Sequence, residues 1–323
     1  MFKRLLTVSM VLVISSLSKA GDPSSVALNT IQVRDPFVVP VAGEGRYYLF
    51  GTTDKDCWGP AGTGFDVYRS ADLVNWEGPL AAFRPPEGFW GTRNFWAPEA
   101  HRLGDSWFLF ASFKNDRARR GTAILRADRP EGPYRPHSDG AVTPHDWECL
   151  DGTLFIESDG RPWMVFCHEW VQVGDGEMCA IPLTRDLHAA DGEPVLLFRA
   201  SEAPWTRNAK PDRKSLVTDG PFLHRTASGR LLMLWSTIGP GGYTMGLATS
   251  DDGTLRGPWR QQPEPLFSRD GGHGMIFRTF DGRLMLTLHQ PNKTPNERAQ
   301  FFELEETSDG LLRLKASAEK PKS

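Results

Sequence analysis

The 323-residue sequence predicts an all-β protein, a five-bladed β-propeller with four antiparallel strands in each blade. Three observations lead to this prediction. Helical periodicity is nearly absent, short apolar segments alternate with turns rich in glycine and proline, and one residue pattern repeats five times along the chain. With 39% hydrophobic and 24% charged residues, the composition is typical of a folded globular protein.

The first twenty residues differ from the rest of the chain. Lys3 and Arg4 precede a short apolar stretch, and small residues follow up to Ala20. This order is typical of a signal peptide, and the apolar stretch is too short to span a bilayer. We therefore expect residues 1–20 to be removed on export. Residues 21–323 would then form a single domain in the periplasm or outside the cell, without membrane contact.

Each repeat begins with a polar residue beside glycine or proline. An apolar strand, a glycine-containing turn and a second apolar strand follow. The five segments are "RDPFVVPVAGEGRYYLFGTT" from Arg34, "WAPEAHRLGDSWFLFASF" from Trp96, "LDGTLFIESDGRPWMVFCHE" from Leu150, "TDGPFLHRTASGRLLMLWST" from Thr218 and "GHGMIFRTFDGRLMLTLHQP" from Gly272. They recur about every 50 to 70 residues, a period that is typical of propellers and solenoids.

A second pattern lies between these segments and predicts the outer strands. It consists of an apolar strand, then serine or alanine with aspartate, then Gly-Pro. The copies are "VYRSADLVNWEGPL" from Val67, "ILRADRPEGPYRP" from Ile124 and "LATSDDGTLRGPWR" from Leu247, with a weaker copy, "CAIPLTRDL", from Cys179. Each predicts a third strand, a turn and a fourth strand. The C-terminal "QFFELEETSDGLLRLK" is expected to complete the last blade.

In a propeller the first strand of each blade lines the central channel, so residues at its start meet at one mouth. The residues assigned to these equivalent points are Asp35, Glu99, Asp151, Asp219 and His273. Carboxyl groups that converge repel one another, and their pKa values separate, which divides acid and base roles at one pH. A single aspartate beside glycine or proline is also ordinary turn chemistry. Repetition in register favours function.

The five openings in this order resemble glycoside hydrolase family 43, the five-bladed arabinofuranosidases, xylosidases and arabinanases. "RDPFV", "WAPE", "LDGTLF", "DGPFL" and "GHGMIF" lie where that family has its blade motifs. The resemblance covers nearly the whole mature chain. It implies hydrolysis of a glycosidic bond with inversion. In such a reaction a carboxylic acid protonates the leaving oxygen while a carboxylate deprotonates a water on the opposite face.

By this resemblance Asp35 is the general base, Asp151 orients and tunes the acid, and Asp219 is the general acid. The family usually has glutamate in the last position, before Gly-Pro, whereas this chain has aspartate. The shorter side chain withdraws the proton by about 1.5 Å, and a misplacement of this size can cost about a hundredfold in rate. Either the pocket is reshaped so that Asp219 reaches the substrate, or Glu169 in "CHEWVQ" supplies the proton.

Further side chains are expected to contact the sugar. They are Arg34, Trp58, Asn94, Trp96, Glu99, Trp170 and His273. Packing in the protein core is the alternative for the tryptophans. Arg34 would lower the pKa of Asp35 if the two side chains pair, which suits a base that must stay ionised. The resemblance also implies that His273 accompanies a structural calcium ion or a water cluster near the channel. Because calcium prefers oxygen ligands, the histidine would act through water. No cofactor is expected to be required for catalysis.

The most specific functional prediction is an α-L-arabinofuranosidase that acts as a monomer on plant polysaccharides or oligosaccharides. The alternatives are a β-xylosidase, an exo-galactosidase or an endo-arabinanase of the same fold, or a sugar-binding propeller without catalysis. The formal net charge of −3 argues against nucleic acid as a partner.

The chain contains four cysteines, Cys57, Cys149, Cys167 and Cys179. An oxidising compartment permits disulfides, and Cys167 would face Cys179 if residues 163–183 form a hairpin. Buried free thiols are the alternative, and the spacing fits no zinc pattern.

Overall fold

A computed structural model of the chain describes residues 25–316, so the predicted signal peptide lies outside the described residues. The described residues form five antiparallel β-sheets, which are the blades of a five-bladed propeller. The predicted fold is therefore confirmed. The first blade contains β1 (Ser25–Ala27), β2 (Arg34–Val41), β3 (Arg46–Thr52), β4 (Phe65–Ser70) and β5 (Asn75–Phe83).

The other four blades have four strands each. The second and third contain β6 (Arg93–Leu103), β7 (Ser106–Lys114), β8 (Gly121–Ala127), β9 (Arg135–Ala141), β10 (Cys149–Ile156), β11 (Pro162–His168), β12 (Glu177–Pro182) and β13 (Val195–Arg199). The fourth and fifth contain β14 (Asp219–Arg225), β15 (Leu231–Gly239), β16 (Gly242–Ser250), β17 (Trp259–Gln261), β18 (Gly272–Arg278), β19 (Leu284–Gln290), β20 (Arg298–Glu306) and β21 (Leu312–Leu314). The helices of the described chain are α1 (Trp170–Val173) and the 3₁₀ turns Leu28–Thr30, Ala42–Glu44 and Ala200–Glu202.

Within each blade the strands follow one another in chain order from the centre outwards. The first blade has one strand more than predicted, because β1 pairs with the outer strand β5. Strand β18 of the last blade packs against β2 of the first. The Val33 N–H also donates to the Glu297 carbonyl oxygen over 3.3 Å. These contacts close the ring of blades.

Every inner strand has the same break in register near its start. In β2, Arg34 pairs with Thr52 but Phe37 pairs with Phe50, so two residues oppose one on the partner strand. The first extra residue has a left-handed backbone in all five blades. Its φ is 52° at Asp35, 47° at Ala97, 58° at Asp151, 53° at Gly220 and 47° at His273. Aspartate tolerates this conformation better than most residues, and Pro36 costs no ladder hydrogen bond because its position is unpaired.

The position of this break corrects two of the predicted equivalences. Asp35, Asp151 and His273 share the left-handed position, as expected. Asp219 lies one residue before it, and a glycine occupies the left-handed position of that blade. Glu99 lies two residues beyond it, after the register has resumed. Alignment on neighbouring glycines and prolines misplaced both residues, because strand pairing is what defines the register.

The N–H of each left-handed residue donates to the preceding blade. Four of these bonds end on the second strand of that blade. They join Asp35 to His289 Nδ1 (3.1 Å), Ala97 to Thr52 Oγ1 (2.8 Å), Asp151 to Ser112 Oγ (2.9 Å) and His273 to Ser236 Oγ (2.8 Å). In the third blade the matching position, opposite Leu150, is Cys167. Since a thiol is a weak acceptor, the Gly220 N–H donates instead to Asp151 Oδ2, over 3.0 Å.

Aromatic rings close the channel below this layer of residues. Phe37 and Phe222 follow the register break in their strands, and their rings pack edge to face with centroids 6.2 Å apart. His101 packs against Phe37 at 5.2 Å. The mouth of the propeller is therefore a pocket with a floor.

All four cysteines are free and buried within the described chain, so the structure shows free thiols and no disulfide among these residues. The predicted hairpin is present, with α1 at its turn, but its register differs from the expected one. Cys167 pairs with Met178, while Cys179 pairs with Phe166. Neighbouring residues of a strand point to opposite faces, so the two thiols do not meet. No helix within residues 25–316 is long and apolar enough to cross a membrane.

Candidate active site

A cavity of about 470 Å³ lies at the mouth where the inner strands begin. We call it the central cavity. Nine of the predicted site residues line it: Arg34, Asp35, Trp58, Trp96, Asp151, Glu169, Trp170, Asp219 and His273. The structure thus brings together the three aspartates that the sequence separates by long stretches of chain.

Asp35 is held as a carboxylate. Its side chain is buried, which alone would raise the pKa, but the His273 imidazolium and the Arg34 guanidinium outweigh burial and hold the pKa well below its usual range. Thr52 Oγ1 donates to Asp35 Oδ2 over 2.7 Å. His273 Nδ1 lies 3.1 Å from Asp35 Oδ1. At any moderate pH this carboxyl group is therefore ionised and can accept a proton.

The two buried histidines beside Asp35 differ in charge, since one ring is cationic and the other is neutral. Burial would lower the pKa of His273, but Asp35 and Asp151 raise it to about 10, so its ring is cationic at neutral pH. Burial and the charge of Arg34 lower the pKa of His289 to about 3. Neutral His289 accepts the Asp35 N–H at Nδ1, and its Nε2 lies 3.2 Å from the side-chain oxygen of Asn292. The first histidine supplies charge and the second fixes the backbone.

Arg34 forms its ion pair with Glu297 and not with Asp35. Its Nη1 lies 2.6 Å from Oε1 of the fully buried Glu297. Its positive charge nevertheless contributes to the low pKa of Asp35, after His273.

Asp151 and Asp219 form a second pair of carboxyl groups that behaves differently from Asp35. Burial raises the pKa of both, and repulsion from neighbouring carboxylates adds to it, while His273 opposes it. The Tyr243 hydroxyl donates to Asp219 Oδ2 over 3.0 Å. The raised pKa values mean that this pair retains a proton at a pH where Asp35 has none.

Glu169 lies on the wall of the same cavity, at the N-terminal end of α1. Burial raises its pKa to about 6, against the attraction of Arg120 and with repulsion from Asp219. Its carboxylate forms an ion pair with Arg120 Nη1, and Arg120 Nη2 donates to the side-chain oxygen of Asn94 over 3.2 Å. Glu169 is therefore committed to a partner that Asp219 lacks.

Indole rings form the walls of the central cavity. Trp58 is 58% exposed, its Nε1–H donates to Thr294 Oγ1 over 2.9 Å, and its ring packs edge to face with Trp96 at 4.9 Å. Trp96 Nε1–H donates to the Cys57 carbonyl oxygen over 2.7 Å. Fixed, partly exposed rings of this kind offer flat apolar faces to a sugar.

Two predicted site residues lie elsewhere. Glu99 is 3.3 Å from His101 Nε2, further along β6 than the cavity lining, so its predicted contact with the sugar is wrong. Asn94 lines a neighbouring cavity. Sequence analysis did not identify Tyr243 or Asn292 as site residues. Tyr243 follows a glycine-rich turn, and Asn292 follows the second strand of the last blade. The signal that could have found them is that loops after second strands also reach the mouth.

The residues around His273 do not fit direct calcium binding, because Asp35 and Asp151 hold its ring as a cation. Within residues 25–316 no group of three or more histidine, cysteine, aspartate or glutamate side chains is placed to hold a metal ion. A calcium ion that acts through water beside this histidine stays a prediction.

The sequence matches the profile of glycosyl hydrolases family 43 over residues 28–310. The chain belongs to this family. It is therefore a glycoside hydrolase, as the resemblance of its blade openings implied, and inversion of the anomeric carbon is the general mechanism of family 43.

Several proteins with solved structures or known names are similar to this chain. A solved endo-arabinase from Bacteroides thetaiotaomicron is 38% identical, with a TM-score of 0.81, and the match covers 88% of this chain and 98% of that one. An extracellular exo-α-(1→5)-L-arabinofuranosidase of Streptomyces chartreusis is 24% identical over 273 residues, 74% of each chain. A β-D-galactofuranosidase of Aspergillus niger is 25% identical over 261 residues, 74% of this chain and 68% of that one.

Proposed function

We propose that this family 43 hydrolase is exported, acts as a monomer and releases L-arabinofuranosyl units from plant polysaccharides or oligosaccharides. One observation supports the proposal most strongly. Asp35 and Asp219 are buried carboxyl groups whose pKa values are shifted in opposite directions, and they share one cavity with exposed indole faces. The arabinose specificity is supported by the names of the Bacteroides endo-arabinase and the Streptomyces arabinofuranosidase.

The proposed reaction is a single displacement at the anomeric carbon. Asp35 accepts a proton from water, and the water oxygen forms a bond to the anomeric carbon. The bond from that carbon to the leaving oxygen breaks, and Asp219 gives its proton to the leaving oxygen. Burial and the charge of Asp35 favour the protonated form of Asp219, and its repulsion with Asp151 keeps a proton on the pair. Asp35 then releases its proton to solvent and Asp219 takes one up from solvent, which restores both groups.

Asp219 is preferred to Glu169 as the acid. The Tyr243 hydroxyl occupies Oδ2 of Asp219, which leaves Oδ1 free to carry the proton. The carboxylate of Glu169 instead faces Arg120, whose charge favours loss of the proton.

Leaving-group dependence distinguishes the two acids. A dinitrophenolate leaves without protonation, whereas a sugar alkoxide needs it, so loss of the acid should affect only the second substrate strongly. We expect Asp219→Asn to lower kcat/KM on arabino-oligosaccharides by about 10²- to 10⁴-fold and much less on the dinitrophenyl arabinofuranoside. If Glu169→Gln gives this pattern and Asp219→Asn does not, the assignment is wrong.

The activity itself is tested with the purified protein on aryl arabinofuranosides, arabinan, xylan and arabinogalactan. We expect the wild type to release L-arabinose with inverted configuration at the anomeric carbon, which NMR detects, and we expect Asp35→Asn to release none. Turnover confined to xylosides or galactosides would overturn the proposed specificity. The 38% identity to an endo-arabinase makes internal cleavage of arabinan the second candidate, and oligosaccharide products in place of the monosaccharide would establish it.

A further inference from the structure

A second cavity, of about 460 Å³, adjoins the central one. We call it the basic cavity. Trp58, Gly59, Pro60, Arg93, Asn94, Lys114 and Arg120 line it. Three of these seven residues are cations, and among the described residues of the lining none is a carboxylate. The lining of the basic cavity is therefore more positive than that of the central cavity, where carboxyl groups accompany the cations Arg34 and His273.

Two of the cations face each other across one strand pair. Arg93 on β6 is directly opposite Lys114 on β7, so both side chains project from the same face of the sheet. Like charges placed directly opposite each other destabilise a strand pair. An anion bound between them would remove this cost.

The carboxylates that accompany these cations are peripheral to the cavity or lie behind it. Lys114 Nζ lies 2.8 Å from an oxygen of Glu148. Arg93 Nη2 lies 2.9 Å from Asp116, whose side chain is 85% exposed to water. An ion pair with so exposed an aspartate is weak, so Arg93 is the cation most available to a ligand.

The segment from residue 114 to 120 adds further positive charge at this rim. It also carries Arg117 and Arg119, and Arg119 Nη1 lies 3.6 Å from Glu148. In the described chain, the cations that line the cavity, together with Arg119, are thus paired with only three carboxylates, Asp116, Glu148 and Glu169.

The two cavities are continuous along one aromatic surface. Trp58 lines both of them. The ion pair of Arg120 with Glu169 forms part of the wall between them, with the cation on the basic side and the carboxylate on the central side. Because Trp58 is common to both linings, a chain of sugars bound in the central cavity can extend across Trp58 to the basic cavity.

We propose that the basic cavity binds a uronate, an acidic sugar of the same polysaccharide whose neutral arabinofuranosyl unit occupies the central cavity. The inference rests on the proposed function for the neutral unit only. The guanidinium of Arg93 presents paired N–H donors, which match the two oxygens of a sugar carboxylate. The side-chain oxygen of Asn94 accepts a hydrogen bond from Arg120, and its amide hydrogens would donate to sugar hydroxyls.

The test uses a ligand that the enzyme cannot hydrolyse as an arabinofuranoside. The full chain is titrated with a galacturonate trisaccharide and with its carboxyl-reduced counterpart, and binding is followed by calorimetry and by intrinsic tryptophan fluorescence. We expect the acidic ligand to bind at least about tenfold more tightly, since hydrogen bonds to charged groups are strong. The preference should shrink in 1 M NaCl, where the Debye length is about 3 Å.

Arg93→Gln should remove most of this preference. Arg260→Gln is the matched control, because Arg260 also pairs with an aspartate on the surface, Asp251, but lies on β17, outside both cavities. The control should retain the full preference. Equal binding of the two ligands by the wild type, or an unchanged preference in Arg93→Gln, would overturn the proposal. Hydrolysis of neutral arabinofuranosides is measured separately, so failure of the proposed activity leaves this result interpretable.

Discussion

Asp35 and Asp219 are both buried aspartates at the start of inner strands, yet the pKa of Asp35 is lowered and that of Asp219 is raised. Burial raises both pKa values. At Asp35 the cation of His273, 3.1 Å away, more than offsets it, while Asp219 has the hydroxyl of Tyr243 as its closest polar contact. A full charge outweighs a neutral donor in a buried site. The neighbours, rather than the residue type, thus divide the roles of base and acid.

This division predicts the pH dependence of hydrolysis. Asp35 stays ionised down to very low pH, so kcat/KM should be constant through the mildly acidic range. The raised pKa of Asp219 means that the acid form is lost as pH increases, and kcat/KM should then fall. Initial rates on arabino-oligosaccharides between about pH 4 and 10 measure this. An ascending limb near the ordinary aspartate pKa of about 3.9 to 5, with no descending limb, would contradict the assignment.

Cys167 influences this descending limb through the backbone. Because its thiol is a poor acceptor, the Gly220 N–H donates to Asp151, which favours the ionised form of that carboxyl. In Cys167→Ser a hydroxyl can take the N–H, as Ser112 and Ser236 do in their blades. Loss of this hydrogen bond raises the pKa of Asp151, and an uncharged Asp151 no longer repels the carboxylate of Asp219, so we expect the limb to move to lower pH. Cys167→Ala, which offers no acceptor, is the control and should leave the limb in place.

The sequence predicted the three aspartates and His273 because each lies beside glycine or proline in a repeated string. It missed Tyr243 and His289, which act on those residues from later strands. Tyr243 belongs to no repeated string. His289 lies in the fifth one, but at the end of its second strand, where nothing in the pattern distinguishes it from a core residue. Arg34 was identified, but its partner Glu297 is at the other end of the chain, and only the closed ring brings the two together.

The register break in the inner strands is the structural element that places the site. It turns the first extra residue of each strand towards the channel mouth and makes a left-handed backbone necessary there. The repeated openings revealed that such strands exist, but the exact residue at the break follows from strand pairing. For this reason the sequence placed Asp219 and Glu99 one and two residues away from their true equivalents. The extra strand β1 has no repeated counterpart and was not foreseen.

Gly220 tests the importance of this break in β14. A Cβ there would lie 2.6 Å from His273 Cδ2 and 3.1 Å from its Cα, and φ is 53°. We expect Gly220→Ala to lose about 1–2 kcal/mol of unfolding free energy from the left-handed backbone alone and more from the clash. Because the histidine must move, kcat should also fall.

The matched control for this change is Gly229→Ala. Gly229 has φ of 88° and no atom within 4 Å of an added Cβ, so it carries backbone strain without a clash. Urea denaturation and kcat measurements on both variants separate the two effects. If both lose the same stability and neither loses activity, the contact with His273 is unimportant.

At the scale of the whole molecule, closure of the ring decides which residues meet. Five repeats in the sequence were enough to predict five blades, since a repeat that cannot bury its faces alone must stack on its neighbours. The sequence could not show how tightly the first and last blades join. In the structure the Asp35 N–H donates to His289 of the last blade, so the proposed catalytic base lies on the closing contact.

Concentrating ionisable groups at the hub makes the stability of the whole fold depend on pH. The pKa values of Asp151 and Asp219 exceed the unfolded value of about 3.9, so their folded forms lose stability as pH rises from there. His273, with a pKa of about 10 against about 6.5 when unfolded, stabilises fully below pH 6.5 and ceases to as pH passes 10. Asp35 has the opposite sign, but its contribution is lost only in strong acid.

We therefore expect the melting temperature to fall from about pH 7 to pH 10, where the shifts of Asp151 and His273 have the same sign. Below about pH 6.5 neutral His289 has the opposite sign and opposes them. Asp151→Asn removes a buried carboxylate while its amide oxygen can still accept the Gly220 N–H. This variant should melt at a higher temperature than the wild type at pH 8, show a shallower decline with pH, and hydrolyse substrate far more slowly, as expected where an active site is built at the expense of stability. Scanning calorimetry at several pH values measures this. A wild-type melting temperature that rises over this range, or an Asp151→Asn protein less stable at pH 8, would show that the carboxyl groups at the hub do not set the pH dependence of the fold.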